Sequence, residues 1–558
     1  MDCREDLKSI LPFLPFIVRS SSLFWPPKAF NSLKALALGT DFSRVDSGEI
    51  LFDAITDIRD SLGLSHERLA PNAVNGYSLF FDELMSRADS RFWFGEVVPK
   101  LASLLLRLPF LLEAHYLDSD MKFGKGKAGL RLMDQQDAGI VFLSQELVAA
   151  LLACALFCLF PTSRRTWKSL PTINFDQLFA CIHPHCSQSQ EHKIKCLIHY
   201  FERTCLSMPE GFVSFERKLL TLRQSGNVVS YPEAAFWKKS TVPLCSFEAF
   251  SSGFIEDQQH EALEVDFANE YFGGGALVMG CVQEEIRFMI NPELIVGMLF
   301  MVSMQKNEAI EVIGSERFSN YTGYGSSFRF AGDYVDKRPF DARSRRKTRI
   351  IAVDALQNPG KWQYGLDCIV RETNKAFCGF LDQSKYKSYM KIFQETSPYK
   401  SGLSKDEASI IASNDLCGSS DTPPQTQDPV ACFENHSGDK LSTTSETSVE
   451  DIGIATGNWG CGAFGGDPQI KSVVQWLAAS QALRPFMHYY TFGTTELRKL
   501  DEVSHWILSQ GWTVGDLWSI LIEYSTQRLN RETTIAFFSW LLPDDAATIN
   551  NNAHYMSE

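Results

Sequence analysis

Through the first 210 positions apolar residues recur at helical spacing. Residues 101–116 (LASLLLRLPFLLEAHY) carry a polar residue every third or fourth position, and Pro109 is expected to kink or break that helix. Residues 134–160 read as one long helix or a pair, closed by Pro161, and 194–206 (IKCLIHYFERTCL) as another. From about 211 the period changes. β-like runs at 211–215, 262–267, 349–356 and 486–492 alternate with helical patterns such as 291–301 and 470–482. That alternation predicts a three-layer α/β domain around a central sheet. Residues 397–450, rich in Ser, Thr, Asp, Pro and Gln, bury too little apolar surface to offset their ordering entropy, and read as a disordered insertion in a loop. The fold resumes after Asp451. Thr513 and Asp516 are spaced as a capping box for a helix over 513–529, 534–542 is a further apolar helix or strand, and 546–558 reads as a frayed tail. The expected organisation is a helical accessory region over 1–210 and an α/β domain over 211–545.

Composition narrows the class. A chain of 558 residues with 44% hydrophobic and 22% charged content fits a soluble globular protein of two or three domains. The longest apolar run, 147–160, is fourteen residues, too short to span a bilayer, so a buried helix and no membrane segment are expected. The 14 cysteines are scattered, many in apolar runs, as befits reduced thiols inside a cell. A net charge of −14 argues against broad binding to a polyanion. A polyphosphate ligand would have to be held locally, by backbone amides and a few cations.

Residues 265–293 (VDFANEYFGGGALVMGCVQEEIRFMINPE) concentrate the candidate chemistry. Gly273, Gly274 and Gly275 let backbone approach a phosphate closely. Gln283 and the adjacent carboxylates Glu284 and Glu285 follow, and Asp266 and Asn269 stand just upstream. Glycoside cleavage needs a carboxylic acid to protonate a poor alcohol leaving group. Carboxyls near one another, or one in an apolar pocket, keep a proton near neutrality. Neighbours on a regular strand would point to opposite faces, one to the scissile bond and one to ribose hydroxyls. Taken alone, the pair reads as a solvated acidic turn, since paired glutamates are common.

A second glycine loop lies at 456–467 (TGNWGCGAFGGD), with Gly457, Gly460, Gly462, Gly465 and Gly466 within ten positions. A β-like run precedes it, and Asp467 with Pro468 opens a helix as cap and first residue. Strand, glycine loop and helix N-terminus together make an anion site; the bland alternative is a turn that needs glycine sterically. The aromatic run 321–330 (YTGYGSSFRF) is either a base-stacking platform or a core strand. Seven cations fall between Lys337 and Arg349, readable as an import signal, an anion patch or a solvated loop. Cys181, His183, His185 and Cys186 crowd together, with His192, Cys196 and His199 downstream. Their spacing is not one that zinc sites prefer, so packing and surface roles are expected and no metal site is assigned.

Taken together, VDFAN, GGG, QEE and IRFMINPELI resemble the signature of the poly(ADP-ribose) glycohydrolase family. IED at 255–257, YTGY at 321–324, IIAVDAL at 350–356 and TGNWGCGAFGGD agree. The resemblance is dense over 200–545, and the helical half is similar to the accessory region of eukaryotic, particularly plant, members. It implies a macrodomain-like α/β/α sandwich with a mixed central sheet and hydrolysis of the ribose–ribose bonds of poly(ADP-ribose) without metal or other cofactor. The alternative, from another class, is a macrodomain that binds the polymer without cleaving it. By motif, Glu285 is implied as general acid, Glu284 as holding the ribose hydroxyls, and Asp266 and Asn269 as supporting the catalytic loop and the terminal ribose. Gln283 belongs to the same loop. Asn458, Trp459, Gly460, Cys461, Gly462, Ala463 and Phe464, with Gly274 and Gly275, are implied to cradle the diphosphate. Ile255 and Glu256 are to meet the adenine edge, and Tyr324 to cover the site. The implied partners are poly(ADP-ribose) and ADP-ribosylated proteins, with no sequence-specific nucleic acid; a monomer in nucleus and cytoplasm is expected.

Overall fold

Alternate residues of the strand Arg349–Ala352 part to opposite sides. Ile350 and Ala352 join a core shared with the N-terminal helices, while Ile351, with Val353 beyond it, lies against Gly379 in the helix Leu366–Phe380. Period-two burial on both faces is what a sheet covered on both sides requires. The computed structural model describes residues 4–184, 187–220, 223–225, 228–258, 260–382 and 452–542. The insertion at 397–450, the tail at 546–558, and His185 and Cys186 lie outside these residues.

The main sheet has eight strands: β1 (Gly139–Ser144), β2 (Phe212–Leu219), β3 (Ser246–Phe250), β4 (Ala262–Asp266), β5 (Glu308–Ile313), β6 (Arg349–Ala352), β7 (Gly453–Gly457) and β8 (Phe486–Tyr490). Their spatial order is β1-β2-β5-β6-β4-β7-β8-β3. The first three pairings are antiparallel and the last four parallel, so the sheet is mixed. The helices used below are α1 (Val98–Phe123), α2 (Gln145–Leu156), α3 (Gln188–Leu206), α4 (Gln283–Ile290), α5 (Leu366–Phe380), α6 (Pro468–Gln481) and α7 (Val514–Asn530). Residues of α4 (Phe288, Met289), α2 and β6 share one hydrophobic cluster, which runs without a break into the helical half through Leu104, Leu105 and Leu108. On the other face, α5 meets α6 through the ion pair of Glu372 with Lys471. The three-layer arrangement is the expected one. Among the described residues no helix is long and apolar enough to cross a membrane.

Three local expectations are revised. Residues 134–160 are not all helical: β1 occupies Gly139–Ser144, where Ile140, Val141 and Phe142 favour a pleated surface. Ser144 then caps α2, its side chain accepting from the Leu147 amide at 3.3 Å. The accessory half thus contributes an edge strand to the sheet. Second, α1 runs through Pro109. Proline has no N–H for the carbonyl of Leu105, and the Trp25 indole donates to that carbonyl instead at 2.7 Å. Third, the helical pattern after Asn291 is a 3₁₀ helix, Pro292–Leu299. The caps hold as read: Thr513 and Asp516 close a capping box on α7, and Asp467 caps α6.

Candidate active site

The end of β4 and the first turn of α4 are pinned by one side chain. Gln283 accepts from the Phe267 amide at 2.8 Å and donates to the Val265 carbonyl at 3.1 Å. The next two residues therefore enter the protein at a helix N-terminus, not on a strand, and both are buried. Glu284 accepts from the amides of Gly273 at 2.7 Å and Asn269 at 2.9 Å. Glu285 accepts from Gly275 at 2.9 Å and Val282 at 2.8 Å. Gly273 and Gly274 have φ of +91° and +48°. A Cβ on Gly274 would stand 2.5 Å from one oxygen of Glu284 and 2.8 Å from one of Glu285. The glycine run is needed for its left-handed backbone and its closeness to two carboxyls.

Asp266 completes a cluster of three acids. It is 1% exposed, and neither of its oxygens has a hydrogen-bond partner among the described residues. Burial lifts its pKa to about 8; nearby Arg287 opposes the rise and Glu285 adds to it. Burial also raises Glu284, helped by Asp266 and Glu285 and opposed by the amides of Asn269 and Gly273. Asp266 and Glu284 are thus both biased toward their protonated forms.

Beside this cluster opens a cavity of about 610 Å³. Gln283, Ile286 and Arg287 of the α4 face line it, while Glu284, Glu285, Asp266, Asn269, Gly274 and Gly275 are not among its lining residues. Asn458, Trp459, Gly460, Cys461, Gly462, Ala463 and Phe464 form another wall. The amides of Gly460, Gly462, Ala463 and Phe464 have no partner among the described residues, which leaves a row of free donors for an anion. The helix terminus behind them is not free: the Asp467 side chain takes the amides of Gln469 at 2.9 Å and Ile470 at 3.4 Å. The amides of Gly273, Gly274 and Gly275 are also engaged, with Glu284, the Tyr271 carbonyl and Glu285 respectively. The anion cradle therefore falls to 460–464, without the amides of Gly274 and Gly275. The Asn458 amide group donates to the Thr491 carbonyl and to Thr494. The Trp459 ring is fully buried, donates to the Val353 carbonyl at 2.8 Å, and lies 4.1 Å from the Lys471 ammonium.

At the remaining wall stand Ile255, Glu256, Tyr321 and Tyr324. The Tyr321 hydroxyl donates to Glu256 at 2.6 Å. Tyr324 is 56% exposed in a hairpin of Ser319–Thr322 and Arg329–Asp333, flanked by Gly323 and Gly325 at positive φ. The aromatic run thus divides: Phe328 is core, while Tyr321 and Tyr324 face the cavity. Phe254, Phe267, Arg287 and Phe492 also line it. Of these, Arg287 had a readable signal, since it stands one helical turn after Gln283. Phe254 had none.

Five of the seven cations at 337–349 are engaged in ion pairs: Arg338 with Glu264, Arg345 with Asp341, Arg346 with Glu316, and Lys347 and Arg349 with Glu261. Of the cysteine and histidine cluster, Cys196 is buried, His199 meets Asp333 at 3.0 Å, and His192 accepts from the Phe330 amide at 3.1 Å. Among the described residues no group of three acids, cysteines or histidines is placed to hold a metal.

Comparison with known proteins assigns this arrangement to a class. Residues 234–499 match the family model described as poly(ADP-ribose) glycohydrolase, macro domain fold, and residues 85–217 the one described as poly(ADP-ribose) glycohydrolase, helical domain. The chain is 53% identical to poly(ADP-ribose) glycohydrolase 1 of Arabidopsis thaliana, over 98% of this chain and 99% of that one. It is 52% identical to probable poly(ADP-ribose) glycohydrolase 2 of the same plant, over 97% and 99%. Poly(ADP-ribose) glycohydrolase 1 of Caenorhabditis elegans is 31% identical over 59% of this chain and 35% of its own length. The chain belongs to the poly(ADP-ribose) glycohydrolase family, with its macrodomain fold and helical N-terminal domain.

Proposed function

We propose that this chain hydrolyses the ribose–ribose O-glycosidic bonds of poly(ADP-ribose) and releases ADP-ribose. The observation that carries the reading is that the free loop amides of Gly460, Gly462, Ala463 and Phe464 share one cavity with Gln283, Ile286 and Arg287, the α4 neighbours of the buried carboxyls. Diphosphate on the amides sets the terminal ADP-ribose across the cavity. The adenine lies toward Ile255 and Glu256, Tyr324 covers the sugar, and the scissile linkage lies toward α4. Glu285, as the acid, gives its proton to the departing 2′-oxygen. The bonding pair of the C–O bond leaves with that oxygen, and an oxocarbenium-like centre remains. The Glu285 carboxylate then takes a proton from the water that attacks this centre, which restores the acid. Glu284 orients the ribose hydroxyls, and Asp266 and Asn269 support the loop. Carboxyl acid–base chemistry of this kind requires no cofactor.

The test is incubation of the full chain with poly(ADP-ribose) and chromatography of the products. Free ADP-ribose accumulating with time is expected. Binding of the polymer with no release would reject the enzyme in favour of a reader. The partners on this reading are the polymer and the proteins that carry it. We place the chain as a monomer in nucleus and cytoplasm, compartments that keep thiols reduced; fractionation and light scattering check both.

A further inference from the structure

A cation from the N-terminal half ends inside the loop that feeds the acid. Lys193 of α3 is 0% exposed. Its ammonium donates to the carbonyls of Val278 at 2.7 Å, Gly280 at 2.5 Å and Gly275 at 3.4 Å. Three hydrogens thus meet three carbonyls. Gln190, on the same helix, donates to the Met279 carbonyl between them at 3.0 Å. The loop closes on itself at the same place, with the amides of Val278 and Gly280 donating to the Gly275 carbonyl at 3.0 and 3.1 Å. The amide of that same Gly275 holds Glu285, and a Cβ on Gly280 would stand 2.7 Å from the Glu285 carboxyl carbon. The loop is therefore gripped by its carbonyls from one side while its amide grips the acid on the other.

An ammonium buried without a paired carboxylate is costly, and here that cost is offset by three carbonyls, of which those of Val278 and Gly280 have no other donor among the described residues. The ionisable groups facing it are Cys281, Glu285 and Cys181, all of which favour the charged form, against a burial that brings its pKa down to about 8.

We propose that Lys193 is a positioning residue for the hydrolytic step: it fixes loop 275–280 so that the Gly275 amide meets Glu285, and sets a positive charge beside that carboxyl when its proton departs. This rests on the reading of Glu285 as the acid. The accessory helix then belongs to the catalytic apparatus and is more than a scaffold.

The test compares full-length wild type with Lys193→Met, Lys193→Gln and, as a control, Lys195→Met, whose ammonium pairs with Glu191 at 2.5 Å on the same helix. Turnover of poly(ADP-ribose), affinity for ADP-ribose by calorimetry and rate against pH are measured. Lys193→Met is expected to lower kcat about 100-fold, the effect of a small misplacement of the reacting groups. Its ADP-ribose Kd should stay within about threefold, because 460–464 is untouched. Lys193→Gln, which keeps two donors for the loop, should recover about tenfold of that loss. The wild-type rate should fall as pH rises through about 8, where both Lys193 and Asp266 titrate, and the limb left in Lys193→Gln, where only Asp266 titrates, should be shallower. Lys195→Met should match wild type. Where Lys193→Met does not fold, Lys193→Gln carries the test. Wild-type kcat in a folded Lys193 variant would overturn the role, as would parallel losses of kcat, affinity and melting temperature with an unchanged pH profile. A wild type that releases no ADP-ribose would instead reject the glycosidase reading, and this role with it.

Discussion

Gly275 and Glu285, ten residues apart, are joined by one hydrogen bond of 2.9 Å from amide to carboxyl, and the other oxygen of Glu285 takes the Val282 amide at 2.8 Å. Both oxygens are thus oriented by backbone before any substrate arrives, which is the preorganisation that acid catalysis exploits. Glu285→Gln keeps the size, removes the ionisable proton and leaves one of these two amides without its acceptor. It is expected to lower kcat by about 10³-fold while ADP-ribose Kd changes by less than about threefold. Single-turnover assays and calorimetry separate the two, and a variant retaining a tenth of the wild-type rate would rule out Glu285 as the acid.

Gly274→Ala tests the approach of loop to acids. A Cβ there meets oxygens of Glu284 and Glu285 on a backbone with φ of +48°. The carboxyls have to move, and kcat is expected to fall about 100-fold. Gly274 does not line the cavity, and the atoms nearest its added Cβ belong to Glu284 and Glu285, not to 460–464, so ADP-ribose affinity should hold. Equal losses in both would show that the whole cavity, and not the acid, had been disturbed.

Asp266 makes stability depend on pH in an unusual direction. Its pKa is raised from 3.8 to about 8 in the folded chain, so between those values the folded state binds more protons than the unfolded state. Stability therefore falls as pH rises from about 4 to about 8, and levels above. Asp266→Asn cannot ionise and escapes this loss. Its melting temperature relative to wild type should rise between pH 5 and pH 8, by at least about 2 °C. Thermal scans giving parallel curves for the two proteins would contradict the raised value.

Tyr321→Phe removes the donor that holds Glu256, a contact of 2.6 Å. With Glu256 at the adenine end of the proposed pose, the loss falls on ground-state binding and not on the chemical step. KM for the polymer should rise about tenfold and kcat stay within about twofold. A fall in kcat with KM unchanged would move Tyr321 to the sugar end.

The most legible parts of this fold were those whose signals are local. Strand, glycine loop, Asp467 cap and helix follow one another between Gly453 and Gln481, each declared by residues at fixed short spacing, and the capping box of Thr513 and Asp516 is equally self-contained. The strand Gly139–Ser144 was hidden because its apolar residues run directly into the apolar helix after it, and only the partner strand decides its conformation. The acids were visible as residues, yet their helical placement was not, since it depends on Gln283 reaching back to Phe267 and Val265. Lys193 left no trace at all. Its partners are backbone carbonyls more than eighty residues away, which any sequence could supply.

The edge strand β1 has a practical consequence. Its six residues lie in register against β2, from Gly139 opposite Arg217 to Ser144 opposite Phe212. A fragment cut at 211, where the texture of the sequence changes, would strip β2 of that partner and leave a ladder of open N–H and C=O groups. Such an edge is a template for pairing with another copy. A trimmed version of this protein that stays dispersed in solution has to begin upstream of Gly139, so the shortest workable catalytic piece includes much of what looks, in sequence, like an appendage.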